Sequence, residues 1–451
     1  MTRGTALLVQ LMSIALASCS DRPLPTDTDG LSTSTTMSET DAPTSTSIGT
    51  SMPTGEPTTG STPGTTSNHG SETLETSEPD ATTGGPATAC GACSVTWASE
   101  QNVDVFPGVD IGQFDCLSVV HGDLSVSGEL SASELAALAN ITTVEGSLFI
   151  TFDTVLTDLS PLACLREVHH DLMIQDAPAL VDLAGLANLA QLNGTLHLSG
   201  TAVSALPALD PAFHGITALE LVNNPALIDL GAASEWTPGP QPLRLRVTDN
   251  VSLASLDGLQ PLVTAASNLE IERLPQLASL VGLETLSGTP RARLRELPAL
   301  QSLTGLEGLV GGDLELRQLP LVKDLLPLTN LQSVDRLTLA GLPLVTSLEG
   351  LANLHTVTTK LDIGGCTDGM DGLSDLSGLT AVTSIDVLGL TANDALISLA
   401  GMDALTTLGS IRTFANPQLP HAEFDAFIAA FDPNTACFEC LCSVLDDDCS
   451  N

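Results

Sequence analysis

The chain has 451 residues, 54 acidic against 14 basic, and a formal charge of -40. A charge of that size repels phosphate backbones, which excludes nucleic acid as a partner class. Tyrosine is absent and there are only 2 Trp and 10 Phe, so no run of aromatic rings offers bases or sugars a stacking platform.

Arg3 precedes an uncharged apolar run from Ala6 to Ala17, too short to span a membrane permanently. The run ends in Leu16-Ala17-Ser18-Cys19. This resembles the lipobox of bacterial lipoproteins, in which small residues fit the signal peptidase and the cysteine thiol takes the diacylglycerol. The resemblance implies a signal peptide over 1–18, lipidation of Cys19, a membrane partner reached through that lipid, and, with Ser20 following, export to the outer membrane. An ordinary secretory signal with a chance cysteine is the alternative. Two or three acyl chains, at about 0.8 kcal/mol per buried CH2, anchor stably.

Residues 19–88 are Ser, Thr, Pro and Gly with scattered acids and almost no large apolar side chains. Such a segment buries too little surface to offset its ordering entropy and reads as a disordered tether. Asp27-Thr28-Asp29-Gly30 has the start of a calcium loop without its remaining ligands.

From Leu124 to Ile411 an apolar–x–apolar pair followed by spaced leucines recurs about every 24 residues. The thirteen pairs start at Leu124, Leu148, Leu172, Leu196, Leu219, Leu245, Leu269, Ala292, Leu314, Leu337, Leu361, Ile385 and Ile411. A period in this range predicts units that bury their apolar faces only against their neighbours. Within each pair, alternation sends Leu and Ile inward and the residue between them outward, as in a strand. The return path through Leu-x-x-Leu-x-Gly-Leu also faces inward. Glycines 185, 258, 282, 305, 350 and 378 mark tight corners where a positive φ is expected.

Gly122–Val126, Leu274–Leu286 and Gly341–Leu354 carry the clearest phrases. Through them the chain resembles the receptor L-domain family of leucine-rich repeats over roughly Cys116 to Pro420. The regular asparagine ladder of common leucine-rich repeats is missing. The resemblance implies a mainly β fold: a right-handed parallel β-solenoid of about 13 leucine-rich coils, used for recognition at a cell surface. It brings no catalytic motif, and no binding residue transfers one by one.

The ends of such a stack expose core and strand edges and need covers. Residues 89–116, with Cys90, Cys93 and Cys116, read as an N-terminal cap, residues 117–419 as the repeat body, and residues 420–451 as a helix and Cys-rich cap. His421 to Phe431 places Phe424, Phe427, Ile428 and Phe431 on one helical face. Cys437, Cys440, Cys442 and Cys449 follow, with disulfides favoured over zinc in an exported chain. Excluding Cys19, nine cysteines remain, and Cys366, standing where a core leucine is expected, is the candidate for a buried free thiol.

The outward strand positions carry Glu220, Arg246, Glu270, Arg293 and Glu315 on successive units, with Arg295 and Arg317 nearby. Nine of the 14 basic residues fall between positions 244 and 336. Cross-strand pairing that holds register is the plain reading. A polar face for an acidic surface protein or glycan is the sharper one. His121, Glu145 and His169 share one column, a donor set for zinc or copper or simply a hydrogen-bonded ladder. After Ile363 the repeat gains about four residues, and Asp362, Asp368, Asp371 and Asp375 suit either a calcium loop or a solvated corner. Trp236, between Thr237-Pro238 and the preceding acid, is either an exposed contact point or a plug.

No nucleophile elbow, zinc-protease motif, P-loop or dinucleotide fingerprint occurs, and no cofactor is expected. The sequence therefore reads as a non-enzymatic recognition or adhesion module of the bacterial envelope. A structural envelope component without a ligand, and a polysaccharide-active β-helix, are the alternatives.

Overall fold

The computed structural model describes residues 90, 93–240, 242–431 and 435–438. The apolar leader, Cys19, the tether 19–88 and Cys440, Cys442 and Cys449 lie outside them.

Alternation sets the strands. Leu124–Ser127, Leu148–Thr151 and Leu172–Gln175 each bury their first and third residues and leave the others half-exposed. Leu124, Leu148 and Leu172 stack in register, and so do Val126, Ile150 and Ile174. Among the described residues fifteen strands form one long sheet and seven short ones a second, and within each the strands pair in parallel with strand order following the sequence. The leucines line a continuous core. The long sheet extends past the thirteen expected pairs, with Val103–Val105 before them and Thr435–Cys437 after.

One expected pair is misplaced. Leu361 is in register with Leu388, and Leu388 with Ile411, whereas Ile385 faces Val357. The insertion after Ile363 shifts the phase, so the twelfth pair is Leu388–Leu390. The short sheet ends at Thr237–Pro238. Beyond it, strands such as Ser333–Ala340 and Thr356–Ile363 lengthen to 8 residues. A register shift between Val334 and Arg336 lets both ends of these long strands stay paired.

Two kinds of corner occur on the return path. Gly258, Gly282, Gly305 and Gly378 hold φ between +103° and +112°, as expected. Gly185 and Gly350 do not: they lie in the 3-10 segments Ala184–Leu186 and Glu349–Leu351. Their glycine requirement is steric, since a Cβ there would sit 1.8 Å from the carbonyl oxygen of Leu159 or Leu325 on the preceding unit.

At the exit of the strands a left-handed residue turns the chain out of the sheet. Phe152, Asp176, Asn223, Asp249, Arg273, Glu296, Gln318, Ala392 and Ala415 hold φ between +50° and +61°. Each L residue there costs about 1–2 kcal/mol. The parallel ladder offsets part of it: Glu296 N–H still donates to Arg317 O at 3.0 Å and Gln318 N–H to Ala340 O at 2.9 Å.

The residue after the left-handed turn points into the core. It is leucine at 274, 297, 319 and 342, but Asn224, Asn250, Asn393 and Asn416 are fully or almost fully buried polar residues at the same place. Asn224 accepts from Thr201 N–H at 3.1 Å and Thr201 Oγ1 at 2.7 Å, and donates through Nδ2 to Leu198 O at 2.9 Å. Asn250 in turn accepts from Asn224 N–H at 2.9 Å. Asn416 accepts likewise from Asn393 N–H at 3.0 Å. The regular ladder is absent, but these two short runs satisfy buried backbone groups in the way one would.

The N-terminal cap holds two disulfides, Cys93–Cys116 and Cys90–Cys164. Cys164, which lies outside the expected disulfide set, ties the cap to the unit that starts at Leu148. Cys366 is disulfide-bonded, as is Cys437, so the expectation of a free thiol at Cys366 is corrected. The helix His421–Ile428 buries Phe424, and Phe427, Ile428 and Phe431 pack against the end of the core, as the periodicity predicts. Among the described residues no helix is long and apolar enough to cross a membrane.

Candidate functional site: the outer face of the long sheet

Strand register places the charged residues side by side. Glu220 faces Arg246, Arg246 faces Glu270, Glu270 faces Arg293 and Arg293 faces Glu315. The column begins with His197, whose Nδ1 lies 2.9 Å from Glu220 Oε2. Arg246 reaches Glu270 at 3.4 Å and Arg293 reaches Glu315 at 3.5 Å. Glu315 is the hub, because Arg295 and Arg317 (3.1 Å) also contact it. A second column runs along the strand exits, where Arg273 donates from Nε and Nη2 to both oxygens of Asp249 at 2.7 and 2.9 Å. A third column pairs Arg291 with Asp313 at 3.4 Å and sets Asp313 beside Arg336.

Three adjacent strands, Arg291–Arg295, Gly311–Arg317 and Ser333–Ala340, hold five arginines against three carboxylates. This is a cationic island in a chain of charge -40. Arg291, Arg293, Arg295 and Arg336 converge with Asp313 and Glu315 on a depression of about 30 Å³, enough to admit one small polar group. Guanidinium groups suit the capture of such a group, because each stays charged and presents a planar fork that matches carboxylate or sulfate.

Glu220 is mostly shielded, and the hydrogen bond from His197 holds its carboxyl below the ordinary carboxylate range. Burial pushes the other way, and the charges of His197, Arg246 and Arg244 add to the lowering. With the folded value depressed, this contribution is present above the ordinary pKa of about 4.3 and lost as pH falls through the lowered value. Glu220→Gln is therefore expected to cost about 1 to 2 kcal/mol at pH 7. The difference from wild type should shrink below pH 4, measured by urea unfolding across pH; a constant difference would contradict the assignment.

The remaining candidates fall apart or change role. His121 Nδ1 lies 2.9 Å from Glu145, but His169 Nε2 contacts Glu167, at 3.3 Å. Asp362 pairs with Lys360 at 3.1 Å, and Asp375 accepts from Ser377 N–H at 2.9 Å. Burial pushes the Asp368 carboxyl up, Arg317 opposes that, and Asp371 is raised by burial and by Asp394. Among the described residues no three His, Cys, Asp or Glu side chains gather as a metal would require. Trp236 is 2% exposed and packs edge-on to Phe213 at 5.5 Å, so it serves the core and is no contact point.

No family model matches the chain, and no curated protein matches it in sequence. The case for function therefore rests on the face itself.

The sequence located the charges but missed the convergence. Arg336 stands beside Asp313 only because the strand Ser333–Ala340 carries a register shift at that point. Arg291 belongs to the face because the strand starts one residue before its apolar pair. Neither is visible from the 24-residue spacing.

Proposed function

We propose that this is an exported, lipid-anchored protein of the bacterial cell envelope that recognises an acidic polymer, glycan or surface protein. In this reading the leucine-rich coils form a right-handed β-solenoid of the receptor L-domain kind, of about 13 repeats between caps. The outer face of its long sheet is the recognition surface, and the cationic island is the observation that carries the reading. Steering by a local positive field acts on rate and specificity and weakens with salt. The Leu16–Cys19 motif supports the anchor and the polar stretch after it supports a spacer from an outer membrane. Globomycin, which blocks cleavage of lipoprotein precursors, is expected to leave this precursor uncut; unaffected processing would rule out the anchor.

Binding tests the face. A polygalacturonate or heparin probe on the full chain is expected to bind saturably at low salt and to lose at least tenfold in affinity with Arg291→Glu and Arg293→Glu combined. Glu315→Gln, which releases three guanidinium groups from their shared carboxylate, is expected to bind several-fold more tightly. Weaker binding by that variant would show that the carboxylate, and not the arginines, meets the ligand.

A structural role without a ligand is the second reading, and the in-register ion pairs favour it. Under it, reversing Arg293 lowers stability by up to about 1 kcal/mol and no acidic probe binds.

A further inference from the structure

The residue before each apolar pair points out of the core, because the first residue of the pair points in. On five successive strands this position holds Arg244, Asn268, Arg291, Asp313 and Arg336, each in register with the next. The column crosses the strands and runs along their stack. Arginine returns at every second strand, about 9.6 Å apart, and the three arginines span about 19 Å. An amide and a carboxylate stand between them.

The neighbouring column, from His197 to Glu315, alternates in sign and pairs within itself. Pairing in the Arg244 column is looser. The Arg244 side chain is 63% exposed and reaches Glu220 only at 3.9 Å, and that of Arg291 is 50% exposed and meets Asp313 at 3.4 Å. Arg336 is exposed as well. The stripe has ends. Ala218 is the register partner before Arg244. Lys360, the partner after Arg336, is buried and paired with Asp362 at 3.1 Å.

We propose, resting on the recognition reading above, that this stripe binds a linear polysaccharide with a carboxylate on every second sugar. The chain lies along the stack of strands and sets its carboxylates on Arg244, Arg291 and Arg336. A linked pyranose advances a polysaccharide by close to one strand step, so two sugars match the arginine interval. Each guanidinium carries five N–H donors, enough to keep a protein carboxylate on one edge and present another edge to the ligand. The positions between the arginines suit an uncharged sugar. Asn268 offers both a donor and an acceptor to hydroxyl groups, and Asp313 accepts from one. A carboxylate on every sugar would set one of them opposite Asp313, where like charges repel. Arg244 lies two strands from Arg291 and carries the site beyond the depression at Arg291, Arg293 and Arg336.

Calorimetric titration of the full, disulfide-intact chain tests the spacing. The probes are hyaluronate oligosaccharides, with a carboxylate on alternate sugars, and galacturonate oligosaccharides, with one on each. The hyaluronate octasaccharide is expected to bind more tightly than the galacturonate octasaccharide, although it carries half the charge. Arg244→Gln is expected to weaken the hyaluronate octasaccharide at least fivefold, and the tetrasaccharide, which still spans Arg291 and Arg336, by no more than about twofold. Arg246→Gln removes the same charge from the paired column and should leave that length dependence intact. Tighter galacturonate binding, or an Arg244→Gln loss that does not grow with length, would overturn the alternate-sugar assignment. Polygalacturonate binding that still falls with Arg291→Glu and Arg293→Glu would then leave the broader recognition reading standing. Polyglutamate binding tighter than hyaluronate and equally weakened by Arg244→Gln would give the stripe to an acidic protein instead. No binding by any of these probes would remove both readings.

Discussion

Gly350→Ala is expected to destabilise the repeat body by on the order of 3 kcal/mol. The new methyl would lie 1.8 Å from Leu325 O and 2.1 Å from its carbonyl carbon, both backbone atoms of the neighbouring unit. No rotamer change relieves that contact. The stacked segments Leu326–Leu328 and Glu349–Leu351 would have to separate, opening the core between Leu328 and Leu351. Gly288→Ala is the control, because its φ is +83° but nothing lies within 4 Å of the added methyl. Backbone strain alone predicts about 1 to 2 kcal/mol there. Calorimetry on both variants separates the two causes, and equal losses would contradict the steric cause. Because each unit contacts only its neighbours, protection from hydrogen exchange should fall first around 325–354.

Asn224→Ala is the second large effect, expected at about 3 to 5 kcal/mol by urea unfolding. The substitution removes the acceptor of both Thr201 N–H and Thr201 Oγ1 and the donor to Leu198 O, all buried. Each buried group left unpaired costs about 1–3 kcal/mol, and the lost volume adds to it. Asn224→Leu places here the residue that 274, 297, 319 and 342 already use, so it restores packing but not the hydrogen bonds. It should recover part of the loss only. Full recovery would mean that packing, not polar satisfaction, is what Asn224 contributes.

Much of the fold is legible in the sequence because one signal repeats. Period-two alternation at Leu124, Leu148 and Leu172 fixes which side chains face inward, and a slip of one residue would turn every leucine outward. The 24-residue spacing then predicts parallel neighbours. The left-handed exits are not legible: Arg273, Glu296 and Gln318 adopt φ near +50°, and nothing in these side chains announces it. Tertiary ladder bonds impose that conformation. Ile385 reads as a pair start because it lies 24 residues after Leu361 and begins an alternating stretch; the extra residues after Ile363 are legible in the sequence, but not that they move the pair to Leu388. The bonded state of Cys366 and the Cys90–Cys164 bridge depend on contacts far apart in sequence, which spacing does not encode. Trp236 reads either as an exposed contact point or as a plug, and the structure buries it in the core against Phe213.

The candidate face is legible in part. Glu220, Arg246, Glu270, Arg293 and Glu315 fall in one column as the spacing requires. That the island lies at Arg291–Arg295, Arg317 and Arg336 follows from strand lengths and a register shift. Opposite charges in register explain why nine basic residues concentrate in one stretch of a very acidic chain. They do not explain why arginines outnumber carboxylates on three adjacent strands, and that excess is the observation on which the proposed recognition of an acidic partner rests.

Titration of the full, disulfide-intact chain with polygalacturonate, beside the Arg291→Glu/Arg293→Glu variant, tests the recognition role most directly. Saturable binding is expected, weakening with salt and falling at least tenfold in the variant while the melting temperature moves by only a few degrees. Equal binding by both proteins, or none by either with the fold intact, would contradict a recognition role for the cationic island.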